Sequence, residues 1–198
     1  MRRSSVHAVA VALTPLGWLL RGKRAGEEHS IRNAPELAGP RTIELSSPAF
    51  TSGASIPDRH ASMDLGPNIS PELAWRGVPD GTKQLLLIIE DIDVPMARPG
   101  LHTIALLAPG GGGIAEGALT PDNPNFRYVP TRGGRTGYVG PRPFPGHGVH
   151  HYGFHLYALD REVLAAPPAP APASMAELLP LVRGHVLADG FHEGVKRG

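Results

Sequence analysis

Two apolar runs of strand length stand out along the chain. Gln84–Ile89 reads QLLLII and Leu101–Leu107 reads LHTIALL. Apolar character on both sides of the pleat over so few positions predicts strands covered on both faces. A third segment, His150–Leu159, carries aromatic and apolar residues and also reads as a strand. Shorter strands are predicted at Arg41–Leu45 and at Leu73–Trp75, the latter anchored by its indole. GVPDGT at Gly77–Thr82 and PGGGG at Pro109–Gly113 are turn signals, and Gly117–Arg135 is polar with no assignable period. Ala165–Ala173 is a Pro-rich extended linker. After it, Ser174 with Glu177 fits a capping box that opens a helix running to about Ala188, with Pro180 and Gly184 as kink points. Phe191–Arg197 reads as a last strand or a tail. Short strands joined by turns, with one late helix, point to a β-sandwich or another mostly antiparallel β fold with a peripheral helix.

Composition narrows this picture. At 198 residues the chain fits one domain, taken here as residues 41–198, behind an N-terminal extension of residues 1–40. Twenty-five glycines and 22 prolines give loops a large share of the chain. A formal charge of +1, with no run of either sign, argues against a nucleic-acid partner. With no cysteine there are no disulfides, thiolate nucleophiles or Cys-ligated zinc. Met1-Arg2-Arg3 followed by VHAVAVALTPLGWLL imitates a signal peptide. Pro15 and Gly17 interrupt that run, it lacks a small-x-small cleavage site, and it is shorter than the ~20 apolar residues that span a bilayer. The preferred reading is an arm that packs on the domain or on a second subunit, in a cytoplasmic protein without a membrane span, for which a homodimer is plausible.

The candidate chemistry gathers in Gly137–Asp160, GYVGPRPFPGHGVHHYGFHLYALD. Pro141, Pro143 and Pro145 exclude regular helix or central strand and make a stiff loop. It feeds imidazoles into the mouth of the following strand. Alternation puts His150, Tyr152, Phe154, Leu156 and Ala158 on one face, and His151, Gly153, His155, Tyr157 and Leu159 on the other. The same rule puts His102 with Ile104 and Leu106. The run before it ends in Glu90-Asp91-Ile92-Asp93. An Asp at a strand end is ordinarily a cap, and His147 reads as solvated and His155 as a satisfied histidine. Convergence of Asp91, His102, His150 and Tyr152 would instead make a rim suited to phosphate or a carboxylate. A metal site built from His150, His151 and His155 with Asp91 is disfavoured, because adjacent strand residues point oppositely. No G-x-S-x-G marks a serine hydrolase, and the glycines near 110 match no nucleotide motif.

NISPELAW, GVPDGTKQLLLIIEDIDVP, LHTIALL and the His-rich segment, in this order, resemble the phosphatidylethanolamine-binding protein family in its bacterial Raf-kinase-inhibitor-like branch. The resemblance covers about residues 41–197. It implies two antiparallel sheets packed as a sandwich, a C-terminal helical segment and a small pocket for anions or phospholipid headgroups. The family's D-P-D-x-P motif falls on Asp91 to Pro95, its pocket His on His102, its G-P-x-P-P-x-G loop on Gly140 to Gly146, and its H-x-Y on His150 to Tyr152. The implied ligand-binding residues are therefore Asp91, His102, Pro143, His150 and Tyr152. Ile92, Thr103, Arg142 and Phe144 depart from the pattern, and Arg142 either adds charge to the pocket or points to solvent. The resulting expectation is a non-enzymatic binding protein for a small anionic or phosphorylated ligand, with no catalytic residue, metal or cofactor. The alternative is an interaction protein that inhibits or scaffolds a kinase or hydrolase, with a protein partner.

Overall fold

In the computed structural model of the chain, residues 12–62, 64–164 and 171–198 are described. Most of the Pro-rich linker, at 165–170, and the start of the arm lie outside them. A helix over residues 12–20 (α1) precedes three short 3-10 turns, Glu27–His29, Ile31–Asn33 and Pro35–Leu37. The strands then follow as β1 (Glu44–Ser46), β2 (Leu73–Arg76), β3 (Gln84–Asp91), β4 (Gly100–Leu107), β5 (Gly113–Ile114), β6 (Phe126–Tyr128) and β7 (Val149–Leu159). Helix α2 (Met175–Val182) and strand β8 (Val186–Arg197) close the fold.

The strands form two antiparallel sheets, one ordered β1-β2-β5 and one β6-β4-β3-β7-β8. Strand β3 is central, and all eight of its residues are buried, as its unbroken apolar run requires. Leu85, Leu87 and Ile89 pack between the sheets against Leu45, Trp75 and Phe154. Leu86 and Ile88 face the other way, into a second core closed by Leu37 of the arm and by Leu178 and Val182 of α2. The large sheet is thus a middle layer, with the small sheet on one side and the arm and α2 on the other.

The C-terminal third corrects the sequence reading. The helix ends at Val182 rather than near Ala188, because Gly184 adopts φ 77° and Val186 already begins β8. Ser174 makes no side-chain cap; the Glu177 carboxylate accepts instead from the Ala173 amide at 3.0 Å. Strand β8 is twelve residues long and pairs with β7 along its whole length. Its inward positions are Ala188, Gly190, His192, Gly194 and Lys196, which carry almost no hydrophobic signal. The first short strand begins at Glu44 rather than Arg41, whose backbone makes only an isolated bridge to Asp189.

Candidate anion-binding site

The strand ends place the polar groups. Asp91 closes β3 and sits in register with Tyr152 of β7, and His150 lies one pleat further out on the same face. All three are 2% exposed or less. Asp91 Oδ2 is 2.8 Å from His150 Nδ1. The His150 and Tyr152 rings lie near parallel, with centroids 6.5 Å apart.

His102 arrives by a route that simple alternation forbids. With strict alternation it would share the outer face with Ile104 and Leu106, across the sheet from Tyr152. The β3–β4 register instead slips. Ile89 pairs with Thr103 and Glu90 with Leu101, which leaves His102 as the extra residue of a β-bulge. Leu101 then packs on the outer core with Ile104 and Leu106. The His102 ring turns to the inter-sheet face, edge-on to Tyr152 at 5.3 Å between centroids.

Pro143 occupies a neighbouring place. It walls an apolar hollow of about 260 Å³ together with Leu13, Leu65, Phe144 and Pro145. Arg142 is not a free cation, because its Nε donates to Asp64 at 2.9 Å. The loop is held from outside by Asn68, which donates to the Tyr138 carbonyl at 2.9 Å and accepts from the Gly140 amide at 2.7 Å. Gly140 is required there, since a Cβ would lie 2.0 Å from the His60 carbonyl oxygen.

The residue that the sequence reading missed is His147. It was expected in solvent and is completely buried. Its Nδ1 is 2.9 Å from His150 Nε2, and its Nε2 donates to the carbonyls of Leu20 at 2.8 Å and Lys23 at 3.1 Å. The available signal was its flanking pair, Gly146 and Gly148, which adopt φ 77° and 112° and let the backbone fold the ring inward. The arm is therefore stitched to the site. Arg24 adds a pairing with Asp93 and a 2.9 Å bond to the Val149 carbonyl.

The links Asp91–His150, His150–His147 and His147–carbonyl tie these groups into one hydrogen-bonded chain from the strand end to the arm. Both His150 nitrogens are engaged. His102 Nδ1 donates to the Val139 carbonyl at 2.8 Å, and its Nε2 has no hydrogen-bond partner among the described residues. Burial lowers the His102 pKa despite the opposing Asp91 charge, so the ring is neutral near pH 7 and Nε2 is a lone pair. The Tyr152 hydroxyl is buried with no hydrogen bond of ordinary geometry, and burial, then the charge and the proximity of the Asp91 carboxylate, raise its pKa, so it stays an O–H donor.

The other face of the large sheet holds a second group of ionisable side chains. Glu90 is buried and is approached by His155 Nε2 at 3.0 Å, the Ile31 amide at 3.1 Å and the Ser30 hydroxyl. Asp93 accepts from the His151 amide at 2.7 Å and sits 2.6 Å from His151 Nδ1. Burial pushes the Asp93 pKa up, but the bonds from His151 and Arg24 outweigh it and leave it lowered. His151 and His155 thus stand across the sheet from His150. Among the described residues no cluster of His, Asp and Glu is arranged to hold a metal ion.

Comparison with known proteins agrees with this architecture. Residues 46–195 match the family model described as phosphatidylethanolamine-binding protein. The chain belongs to that family. It is 36% identical over 155 residues to the Mycobacterium tuberculosis protein named lipoprotein LppC, a match that covers 77% of this chain and 73% of the relative. A UPF0098 protein of Aquifex aeolicus is 33% identical over 160 residues, covering 80% and 90%. Among solved structures, the Chlamydia trachomatis homolog CT736 superposes with a TM-score of 0.68 at 30% identity, covering 80% of this chain and 99% of that one. Escherichia coli YbcL shares the fold at the same TM-score of 0.68 and 23% identity, covering 78% and 97%. These likenesses account for the two-sheet fold.

Proposed function

We propose that the protein is a non-enzymatic binding protein for a small anionic ligand of the phosphate or phosphomonoester type, including a phospholipid headgroup. The observation that carries this reading is the pair of unpartnered polar atoms at the head of the sandwich. Tyr152 offers an O–H donor and His102 a lone pair, on rings 5.3 Å apart. A monoprotonated phosphate can accept from the first and donate to the second. A fully ionised anion can instead draw a proton onto His102 and pair with the resulting imidazolium. Asp91, His150 and His147 hold the wall in place, with both Asp91 oxygens engaged, by His150 and by the Asp93 amide, each at 2.8 Å. Because both His150 nitrogens are engaged, His150 is not a free base beside a nucleophile, which supports binding over turnover.

Among the described residues no helix is long and apolar enough to cross a membrane. The proposed location is cytoplasmic, which fractionation of cells expressing the untagged chain would check. Calorimetric titration with phosphate, phosphoethanolamine and sulfate tests the site. Wild type is expected to bind, and Tyr152→Phe and His102→Gln each to weaken binding about tenfold, the loss of one hydrogen bond to a charged group. No binding by wild type, or full binding in both variants, would refute the reading.

A further inference from the structure

The arm helix is apolar on both of its faces rather than amphipathic. Leu13, Gly17 and Leu20 lie on its body side. Gly17 sits so close to the pocket loop that a Cβ would come within 1.9 Å of the Pro145 carbonyl oxygen. Ala12, Pro15, Leu16 and Leu19 recur at helical spacing on the outward side, and all four are exposed. Leu19 is 80% exposed, Trp18 59% and Leu16 45%, which makes them the three most exposed large apolar side chains among the described residues. Surface helices ordinarily turn charge toward water, so an outward face without a polar residue calls for an occupant.

We propose that this face docks on an anionic lipid surface, with α1 lying in the plane of the interface. Three observations favour that occupant. Exposed cations follow the helix at once, Arg21 and Lys23, and the Arg21 guanidinium stacks 5.9 Å from the Trp18 ring. The nearest downstream acid, Glu27, is paired with Arg32 and lines a groove with His151 and His155. Leucines beside a tryptophan, bordered by cations, are what an interfacial helix presents to the boundary of headgroups and acyl chains. A second copy fits less well, because it would bring the same cations to this face and no complementary anions. The described residues of the helix, 12–20, present about 13 Å of apolar face at 1.5 Å per residue. This site is distinct from the Tyr152–His102 pocket and does not depend on it.

Tryptophan fluorescence and vesicle flotation of the full chain test the proposal. The protein has two tryptophans and Trp75 is buried, so a blue shift on adding vesicles reports Trp18. The shift and co-flotation are expected with phosphatidylcholine vesicles containing phosphatidylglycerol, and not with phosphatidylcholine alone. Leu16→Gln with Leu19→Gln keeps Trp18 and lies on the surface, so the fold should be retained; partitioning should fall at least tenfold. Arg21→Gln with Lys23→Gln should remove the preference for anionic vesicles, and high salt should mimic it. Equal partitioning onto neutral vesicles overturns the proposal, as does partitioning lost in Tyr152→Phe but kept in the double leucine variant, since the pocket would then be the lipid contact. Absence of partitioning also overturns it. If light scattering then shows a dimer that the leucine variant splits, a second copy is the occupant.

Discussion

Tyr152 makes the clearest case at the scale of single residues. A buried hydroxyl without a partner costs about 1–3 kcal/mol of desolvation, and the free protein gains nothing visible from it. Tyr152→Phe should therefore raise stability toward urea by about 1 kcal/mol while weakening anion binding. A variant that is both less stable and still fully binding would show that the hydroxyl is structural. His102 and His192 make the pH argument. Burial lowers both pKa values from an ordinary value of 6.5, against the Asp91 charge at His102 and the hydrogen bonds the rings donate to the Val139 and Phe50 carbonyls. Both rings are neutral in the folded chain where the unfolded chain already binds protons. Their contribution is complete above 6.5 and is lost as pH falls through the lowered folded values. Unfolding midpoints should fall as pH drops below about 7.5, and a His102→Gln, His192→Gln variant should flatten that fall. Alternation along one strand was enough to put His150 and Tyr152 on one face, and Asp91 came from the polar end of the neighbouring run, because β3 and β7 are regular where they meet. His102 was reached for the wrong geometric reason. A bulge leaves no trace in hydrophobic pattern when the residue it re-aims is a lone histidine.

At the scale of elements, β3, β4 and β7 were legible and β8 only in its second half, where Phe191–Arg197 reads as a last strand or a tail, and the contrast is physical. The first three are lined by Leu, Ile, Phe and Tyr on faces that meet a core. The inward face of β8 alternates Ala, Gly, His, Gly and Lys because other parts of the chain press onto it. A Cβ on Gly194 would fall 2.4 Å from Ile56 and 2.7 Å from Phe50, and one on Gly190 would fall 2.7 Å from the Ile43 carbonyl oxygen. Small residues here are the sign of close approach rather than of a turn. Gly194→Ala should destabilise by about 1–3 kcal/mol through overpacking, measured by chemical unfolding. An unchanged midpoint would mean that the segment carrying Ile56 yields without cost. Lys196 shows the same logic, with its ammonium led out between the Ile56 carbonyl, at 2.8 Å, and Asp58.

For the whole molecule, the arm is the part whose meaning changes most. Read from sequence, residues 1–40 lie outside every motif, yet residues 12–40 serve as part of the third layer. Leu37 fills the outer core, Ser30 and Ile31 satisfy the buried Glu90, Arg24 holds Asp93, and the carbonyls of Leu20 and Lys23 receive His147. These anchors divide into two tiers. Removing residues 1–22 takes away the helix and one of the two carbonyls on His147, while Arg24, Ser30, Ile31 and Leu37 remain. That chain should fold and melt only a few degrees lower. Removing residues 1–40 also bares the Leu37 hollow and leaves Glu90 facing only His155. An unburied leucine costs about 1.5–3 kcal/mol, and the hydrogen bonds from Ser30 and Ile31 to the Glu90 carboxyl are lost to water. Those losses are a large share of the stability of an ordinary domain of this size, about 5–15 kcal/mol. The shorter chain should therefore melt at least about 10 °C below the longer truncation, or fail to fold. Calorimetry of the two truncations decides it. If they melt together, the arm rests on the sandwich without supporting it, and the sheet must close its outer core by other means.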